Sequence, residues 1–201
     1  MAQTEICLLT LSAEKSTRKE EKNRGSEPRL TKALLRENNT VVASSENVEE
    51  LASRGYGTSE DNNLILSLCE ALFLVSKGVI AVEDEKTGGA ISFELLLKRY
   101  RSLDPNAWVK YLIYRDLRSR GYVTREGFGL GIDFRVYERG EYGTATAKYL
   151  IFGVQEGQLV SLEELARTLK YVHGLKKRLV LAVLNRRGEV VYYSLSKLTL
   201  K

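Results

Sequence analysis

Residues able to do chemistry are few in this chain. One histidine, His173, and two cysteines, Cys7 and Cys69, share no recognisable zinc-ligand spacing, and two thiols cannot build a disulfide framework. Cys69 sits inside the apolar run Leu64 to Val75 and reads as a small core hydrophobe rather than a reactive thiol. There is no glycine loop ending in Lys-Ser/Thr, no Gly-x-Ser-x-Gly elbow and no His-Glu-x-x-His pair. Gly127-Phe128-Gly129-Leu130-Gly131 lies between strand-like segments instead of opening a helix, so it reads as a turn before a cofactor loop. Asp133 is the only acidic residue of its segment and no Glu-x-Lys follows on the next, which leaves a two-metal nuclease centre without its carboxylates. These absences predict no metal and no cofactor. What remains is basic: the tract Lys176-Lys177-Arg178, and Lys110, Arg115, Arg118 and Arg120 on one side of a predicted helix.

That basic character is concentrated in one half. Residues 1–97 carry 11 Lys+Arg against 16 Asp+Glu, a balance of −5, whereas residues 98–201 carry 20 against 10, a balance of +10. The asymmetry fits either a C-terminal half that faces a polyanion or a solvated basic surface.

The elements that must position these residues can be read in order. Ser12 to Glu37 is a dense mixed-charge run broken by Gly25 and Pro28, which predicts a charged, mobile extension over residues 1–39. Val41–Ala43 reads as a short strand, Asn47–Ala52 as a turn of helix and Gly55-Tyr56-Gly57 as a turn. Asp61-Asn62-Asn63 is expected to open a buried helix over Leu64–Val75, with Gly78 at a left-handed cap. A strand at Val79–Val82 and a helix capped by Ser92 follow. Asp104-Pro105 predicts a helix start with proline at the first helical position, an apolar stripe through Trp108, Leu112 and the neighbours of Leu117, and a stop at Gly121.

Strands are then expected at Tyr122–Thr124, Ile132–Tyr137 and Lys148–Val154, a helix from the Ser161/Glu164 capping box to about Gly174, and strands at Arg178–Leu184 and Val190–Leu195. Without regular alternation of strand and helix, the fold class is α+β or mixed α/β. It divides into a small N-terminal α+β domain over residues 40–103 and a C-terminal α/β domain with a mixed sheet over residues 104–201. The longest apolar stretch is too short for the ~20 residues of a membrane span. Met1-Ala2-Gln3-Thr4-Glu5 has none of the features of a secretory signal, so a cytoplasmic protein without membrane contact is expected.

The C-terminal half carries a series of linked motifs. They are Tyr114-Arg115-Asp116-Leu117-Arg118-Ser119-Arg120-Gly121-Tyr122, Gly127-Phe128, Asp133-Phe134-Arg135-Val136-Tyr137, Lys148-Tyr149-Leu150-Ile151, His173 through Val183, and Gly188-Glu189-Val190-Val191-Tyr192-Tyr193. Together they resemble the archaeal tRNA-intron splicing endonucleases from about Tyr111 to the C-terminus, with a weaker likeness over Val41–Val82 and little or none in the first forty residues. The resemblance implies a nuclease-like C-terminal domain and metal-independent cleavage of precursor tRNA at a bulge-helix-bulge. In that chemistry a ribose 2′-hydroxyl attacks its own phosphate, leaving a 2′,3′-cyclic phosphate and a 5′-hydroxyl.

The family uses a tyrosine as general base, a histidine as general acid and a lysine against the pentavalent phosphate. Tyr137 matches the tyrosine and Lys177 the lysine, but the histidine position, three residues before Tyr149, is Thr146. A general acid is worth about 10²–10⁴ in rate, and a threonine hydroxyl cannot replace imidazolium. His173 matches a helix position four residues before Lys177, where it is expected to pack or hydrogen-bond. The chain therefore resembles the structural, non-catalytic subunit of a heteromeric enzyme, partnered by a homologous catalytic subunit. In that setting Tyr137 and Lys177 are vestigial, reading equally as a strand-end aromatic and a solvent-facing base. Two alternatives are a self-sufficient homo-oligomer with an unconventional acid and an RNA-binding module outside splicing.

Phosphate contacts are expected from Arg115, Arg118, Arg125, Lys176 and Arg178, with Lys197 as a weaker candidate for stacking on bulged bases. The resemblance also implies C-terminal strand pairing across a dimer interface, for which Val190, Tyr192 and Ser194 lie on either an edge strand or an ordinary internal one. The turn Asn185-Arg186-Arg187-Gly188 is basic where the family carries an acidic loop.

Overall fold

The computed structural model describes residues 30–36, 41–43, 48–61 and 63–198. The chain is α+β, and its described residues build two mixed sheets. The first has six strands in the order β3-β4-β2-β1-β5-β6: β1 Thr31–Leu35, β2 Val41–Ala43, β3 Thr58–Glu60, β4 Asn63–Leu66, β5 Ile80–Asp84 and β6 Ala90–Ile91. Only β1 and β5 pair in parallel. The helices of this half are α1 Val48–Ser53, α2 Leu68–Ser76 and α3 Phe93–Leu103.

Strand β1 corrects the expected extension over residues 1–39. Thr31–Leu35 is an inner strand between β2 and β5, with Thr31, Ala33 and Leu35 buried in strict alternation. Five residues next to a charged run hold too little pattern to announce a strand; the pairing partners on both sides supply the stability. The rest of the charged run lies outside the described residues.

The helix expected over Leu64–Val75 is two elements. Leu64 and Leu66 are buried while Ile65 is half-buried, the alternation of a strand, and β4 pairs with both β2 and β3. Ser67 ends the strand and caps α2: its hydroxyl accepts from the Glu70 amide at 3.3 Å and the Glu70 carboxylate accepts from the Ser67 amide at 2.9 Å. A continuous apolar run does not by itself separate a buried strand from a buried helix. Gly78 follows the helix with φ 64°, as its position predicted.

Helix α4, Ala107–Ser119, joins the halves. It begins two residues after Pro105. Asp104 instead makes a turn, accepting from the Asn106 amide at 2.8 Å through its side chain and from the Ala107 amide at 3.0 Å through its carbonyl. The expected stripe was too narrow. Ala107, Val109, Tyr111, Leu112, Ile113, Tyr114 and Leu117 are all buried because α4 packs against α2 and α3 on one side and the second sheet on the other. Trp108 falls on the side left open and is 41% exposed.

The second sheet has the order β11-β10-β9-β8-β7, from β7 Val123–Gly129, β8 Ile132–Tyr137, β9 Tyr149–Gln155, β10 Arg178–Leu184 and β11 Val190–Leu195. Only β9 and β10 run parallel, and α5, Leu162–Gly174, is the crossover between them. The Ser161 hydroxyl caps α5 by accepting from the Glu164 amide at 3.4 Å. Alternation assigns the faces. Phe134, Val136, Ile151, Ala182 and Leu184 join α4 and the first half in one core, while Leu150, Phe152, Val154 and Leu179 pack with Val172 of α5. Each large side chain so buried contributes about 1.5–3 kcal/mol.

The glycine-rich stretch forms the β7–β8 turn, with a register shift between Glu126 and Gly129. A Cβ at Gly127 would lie 1.8 Å from the Ile132 carbonyl oxygen, so no other residue fits. No helix among the described residues is long and apolar enough to cross a membrane.

Candidate functional site

One end of the second sheet collects the chemistry-bearing residues. Strand β8 finishes there, and because it is antiparallel to β9 and β9 is parallel to β10, both of those strands start there. Strand β11 is antiparallel to β10 and also ends there. Tyr137 closes β8, Thr146 precedes β9 on the connecting loop, and Lys177 leads into β10.

Two backbone bonds fix the loop ends at this edge: the Lys148 amide donates to the Val136 carbonyl at 3.0 Å and the Arg178 amide to the Lys148 carbonyl at 3.1 Å. Lys176 turns the chain out of α5 with φ 55°, its amide donating to the His173 carbonyl at 3.0 Å, and the Lys177 amide donates to the Val172 carbonyl at 3.2 Å.

The result is a direct contact. The Lys177 ammonium Nζ donates a hydrogen bond to the Thr146 hydroxyl Oγ1. Tyr137 is half-buried and packs edge-on against Tyr142 with ring centroids 5.1 Å apart. Beside them Glu138, which sequence reasoning passed over, accepts from Lys148 Nζ at 2.5 Å and from the Tyr149 hydroxyl at 3.0 Å. The Lys148 hydrogen bond, then that of Tyr149, holds the Glu138 carboxyl below its ordinary value, and Glu138 in turn holds the Lys148 ammonium above its own. The adjacency of Glu138 to Tyr137, and of Lys148 to Tyr149, was the available signal. His173 is exposed on the last turn of α5 rather than packed, and among the described residues its ring makes no hydrogen bond. Among those residues no group of three or more His, Cys, Asp or Glu is placed to hold a metal ion.

The basic residues read from sequence separate into groups. Lys176 and Arg178 are exposed at the Lys177 end, and Lys197, two residues beyond β11, is exposed at the same end. Arg115 is exposed on α4, 5.9 Å from the Tyr111 ring centroid. Arg118 is half-buried against Tyr56. Arg125 is turned inward: it donates to Glu70 at 2.9 Å, to Thr58 Oγ1 at 3.0 Å and to the Gly55 carbonyl at 3.3 Å, so its guanidinium is taken up inside the protein and is not free to meet a phosphate.

Among the described residues strand β11 is an edge strand, with no strand paired on its outer side. Of the residues read as an interface, Val190 and Tyr192 turn toward α4, and the Tyr192 hydroxyl donates to Asp116 at 2.7 Å. Ser194 is exposed. The apolar side chains open to solvent are their neighbours, Val191 at 40% and Tyr193 at 53%. Alternation on a strand whose one face is covered forces this split. The β10–β11 turn is tied by Asn185, whose side-chain oxygen accepts from the Arg187 and Glu189 amides at 2.9 Å each, and it presents Arg186 and Arg187 outward.

Comparison with known proteins decides the family. The sequence model of the tRNA intron endonuclease catalytic C-terminal domain matches residues 107–192, and that of the tRNA intron endonuclease N-terminal domain matches residues 31–97. The chain belongs to the tRNA intron endonuclease family. A tRNA-splicing endonuclease of Methanococcus vannielii is 34% identical over 168 residues, covering 84% of this chain and 94% of that relative. One of Pyrococcus furiosus is 37% identical over 141 residues, covering 70% and 80%. Another, from Methanococcoides burtonii, is 33% identical over 163 residues, which are 80% of this chain but 45% of that relative.

Proposed function

We propose that this chain is the structural, non-catalytic subunit of a heteromeric tRNA-splicing endonuclease. In this reading it assembles with and positions a homologous catalytic subunit on precursor tRNA, and the assembly removes introns at bulge-helix-bulge motifs without a metal, in the cytoplasm. The Lys177–Thr146 hydrogen bond is the observation that supports it most. A threonine hydroxyl keeps its own O–H while accepting from the ammonium but is far too weak an acid to give that proton up near neutral pH, so the departing 5′-oxygen would leave unprotonated, at a cost of about 10²–10⁴ in rate. Tyr137 and Lys177 are then remnants of the family's constellation.

Assembly would run through β11, whose outer backbone edge has no strand partner among the described residues and whose Val191 and Tyr193 stand exposed beside it. Residues 104–201 form the unit that meets the partner, and the preceding half, which begins at β1 rather than at residue 40, supports it.

The test is cleavage of a bulge-helix-bulge RNA by the purified chain in EDTA, at enzyme excess, with the product ends analysed. No cleavage alone, and cleavage to cyclic phosphate and 5′-hydroxyl once a histidine-bearing homologue is added, is the expected result. Robust cleavage by the chain alone overturns it; loss of that cleavage in His173→Ala would identify a self-sufficient enzyme. RNA binding without stable association with the homologue would leave a binding module.

A further inference from the structure

A cleft of about 520 Å³ lies between the α1–β3 turn and the C-terminal end of α4, walled by Arg54, Tyr56, Phe73, Lys77, Arg118 and Tyr122. Its charged lining is cationic. Arg54, just past α1, is paired with Glu50 of that helix at 3.4 Å, and among the described residues no carboxylate pairs with Lys77 or Arg118. Arg118 is held in place from two sides: its guanidinium carbon is 3.8 Å from the Tyr56 ring centroid, and Nη2 donates to the Arg54 carbonyl at 3.1 Å. Lys77 stands over Phe73, 5.7 Å from the ring centroid. A guanidinium fixed before a ligand arrives loses little freedom on binding, and it offers both a donor fork for phosphate and a flat face for a base.

The sheet sets where this cleft lies relative to the Tyr137 end. Val123 also lines it, and Val123 is the residue paired with Tyr137. Gly55, in the turn above the cleft, lies so close to Tyr142 that a Cβ there would be 3.2 Å from its ring, and Tyr142 packs on Tyr137. The cleft therefore adjoins the Tyr137 end of the sheet, past the start of β7.

We infer that this cleft is a second RNA subsite, which takes the phosphate backbone and one stacked base of the strand leading away from the Tyr137–Thr146–Lys177 end. Lys77 and Arg54 meet phosphate oxygens, and Arg118, backed by Tyr56, meets a phosphate and the base. The inference rests on the reading of this chain as a subunit that meets precursor tRNA.

The experiment is fluorescence anisotropy of a bulge-helix-bulge RNA with the full chain across a KCl series, for the unaltered protein, Lys77→Gln, Arg118→Gln, Arg118→Lys and Lys177→Gln. Lys77→Gln is expected to weaken binding and make the log–log salt slope shallower by about 0.7–0.9. Arg118→Gln should cost about tenfold through lost stacking, and Arg118→Lys should restore the salt slope but not the affinity. Lys77 is exposed, so its variant keeps the fold. Unchanged affinity and slope in Lys77→Gln and Arg118→Gln, with weakening in Lys177→Gln, overturns the cleft subsite and leaves the tRNA reading standing. No RNA binding by the unaltered chain, alone or with a catalytic homologue, overturns both.

Discussion

Arg125 of β7 and Glu70 of α2 meet at 2.9 Å with side chains only 14% and 4% exposed, a buried ion pair that ties the second sheet to the first half of the chain. Burial raises the Glu70 carboxyl from its ordinary value, while Arg125 and the Ser67 and Gly57 amides pull the other way. Arg125→Met leaves a dry carboxyl that must stay charged without a partner or take up a proton. The variant should lose about 3–5 kcal/mol at neutral pH, and the Arg125→Met/Glu70→Gln double variant less. Its folded carboxyl is raised further above the unfolded value of 4.5, so the loss grows as pH rises through that window and shrinks toward pH 5. Urea titrations at pH 5 and pH 8 measure both.

Under the proposed reading, Thr146→His supplies the general acid on the loop before β9. Single-turnover cleavage of a bulge-helix-bulge RNA in EDTA should rise by about 10²-fold or more over the unaltered chain. Adding Lys177→Gln should remove most of the gain. A flat response to both substitutions would mean that the sheet end has lost more than one group.

Cys69 is buried on α2, with its Sγ 3.4 Å from the Tyr100 hydroxyl, and burial pushes its thiol up to about 12. Iodoacetamide at pH 8 should leave the Cys69 peptide unmodified in the folded protein and alkylate it in urea, as read by mass spectrometry. The folded thiol keeps its proton where the unfolded one, near 9.0, has lost it. Its contribution to stability is therefore complete below about pH 9 and declines between there and about pH 12, by up to ~1.4 kcal/mol per unit. Relative to Cys69→Ala, the unaltered chain should lose stability more steeply from pH 9 to pH 10.5.

Charges on the open face of β11 should block assembly without unfolding the subunit. Val191→Lys/Tyr193→Lys changes exposed side chains, so each costs within about 0.5 kcal/mol of stability. Light scattering behind size exclusion, with a catalytic homologue present, should show the complex lost. Tyr192→Phe, on the inward face, should instead lower stability by about 1–3 kcal/mol through its bond to Asp116 and leave assembly intact.

Much of the second half was legible because its strands alternate cleanly and its helix α5 carries its own cap at Ser161. The first half was harder. Thr31–Leu35 is a strand because β2 and β5 flank it, and Leu64–Leu66 separates from α2 only at Ser67. Trp108 was misplaced because periodicity shows one apolar stripe, whereas α4 is covered from two sides. At the site, the pairing of Lys177 with Thr146 joins residues 31 apart, and that of Arg125 with Glu70 joins residues 55 apart. Neither leaves a local pattern; the first was approached only through family motifs, and the second was read as a free cation.

Because α4 lends one side to each half, neither half owns a complete interior. Thermal melting should then proceed as a single cooperative transition in which both sheets are lost together, and a fragment starting at Asp104 would carry a naked apolar helix flank wherever it went. The first half thus acts toward the second as a built-in, permanent chaperone, and a version of this protein without it would have to find another molecule to shelter under.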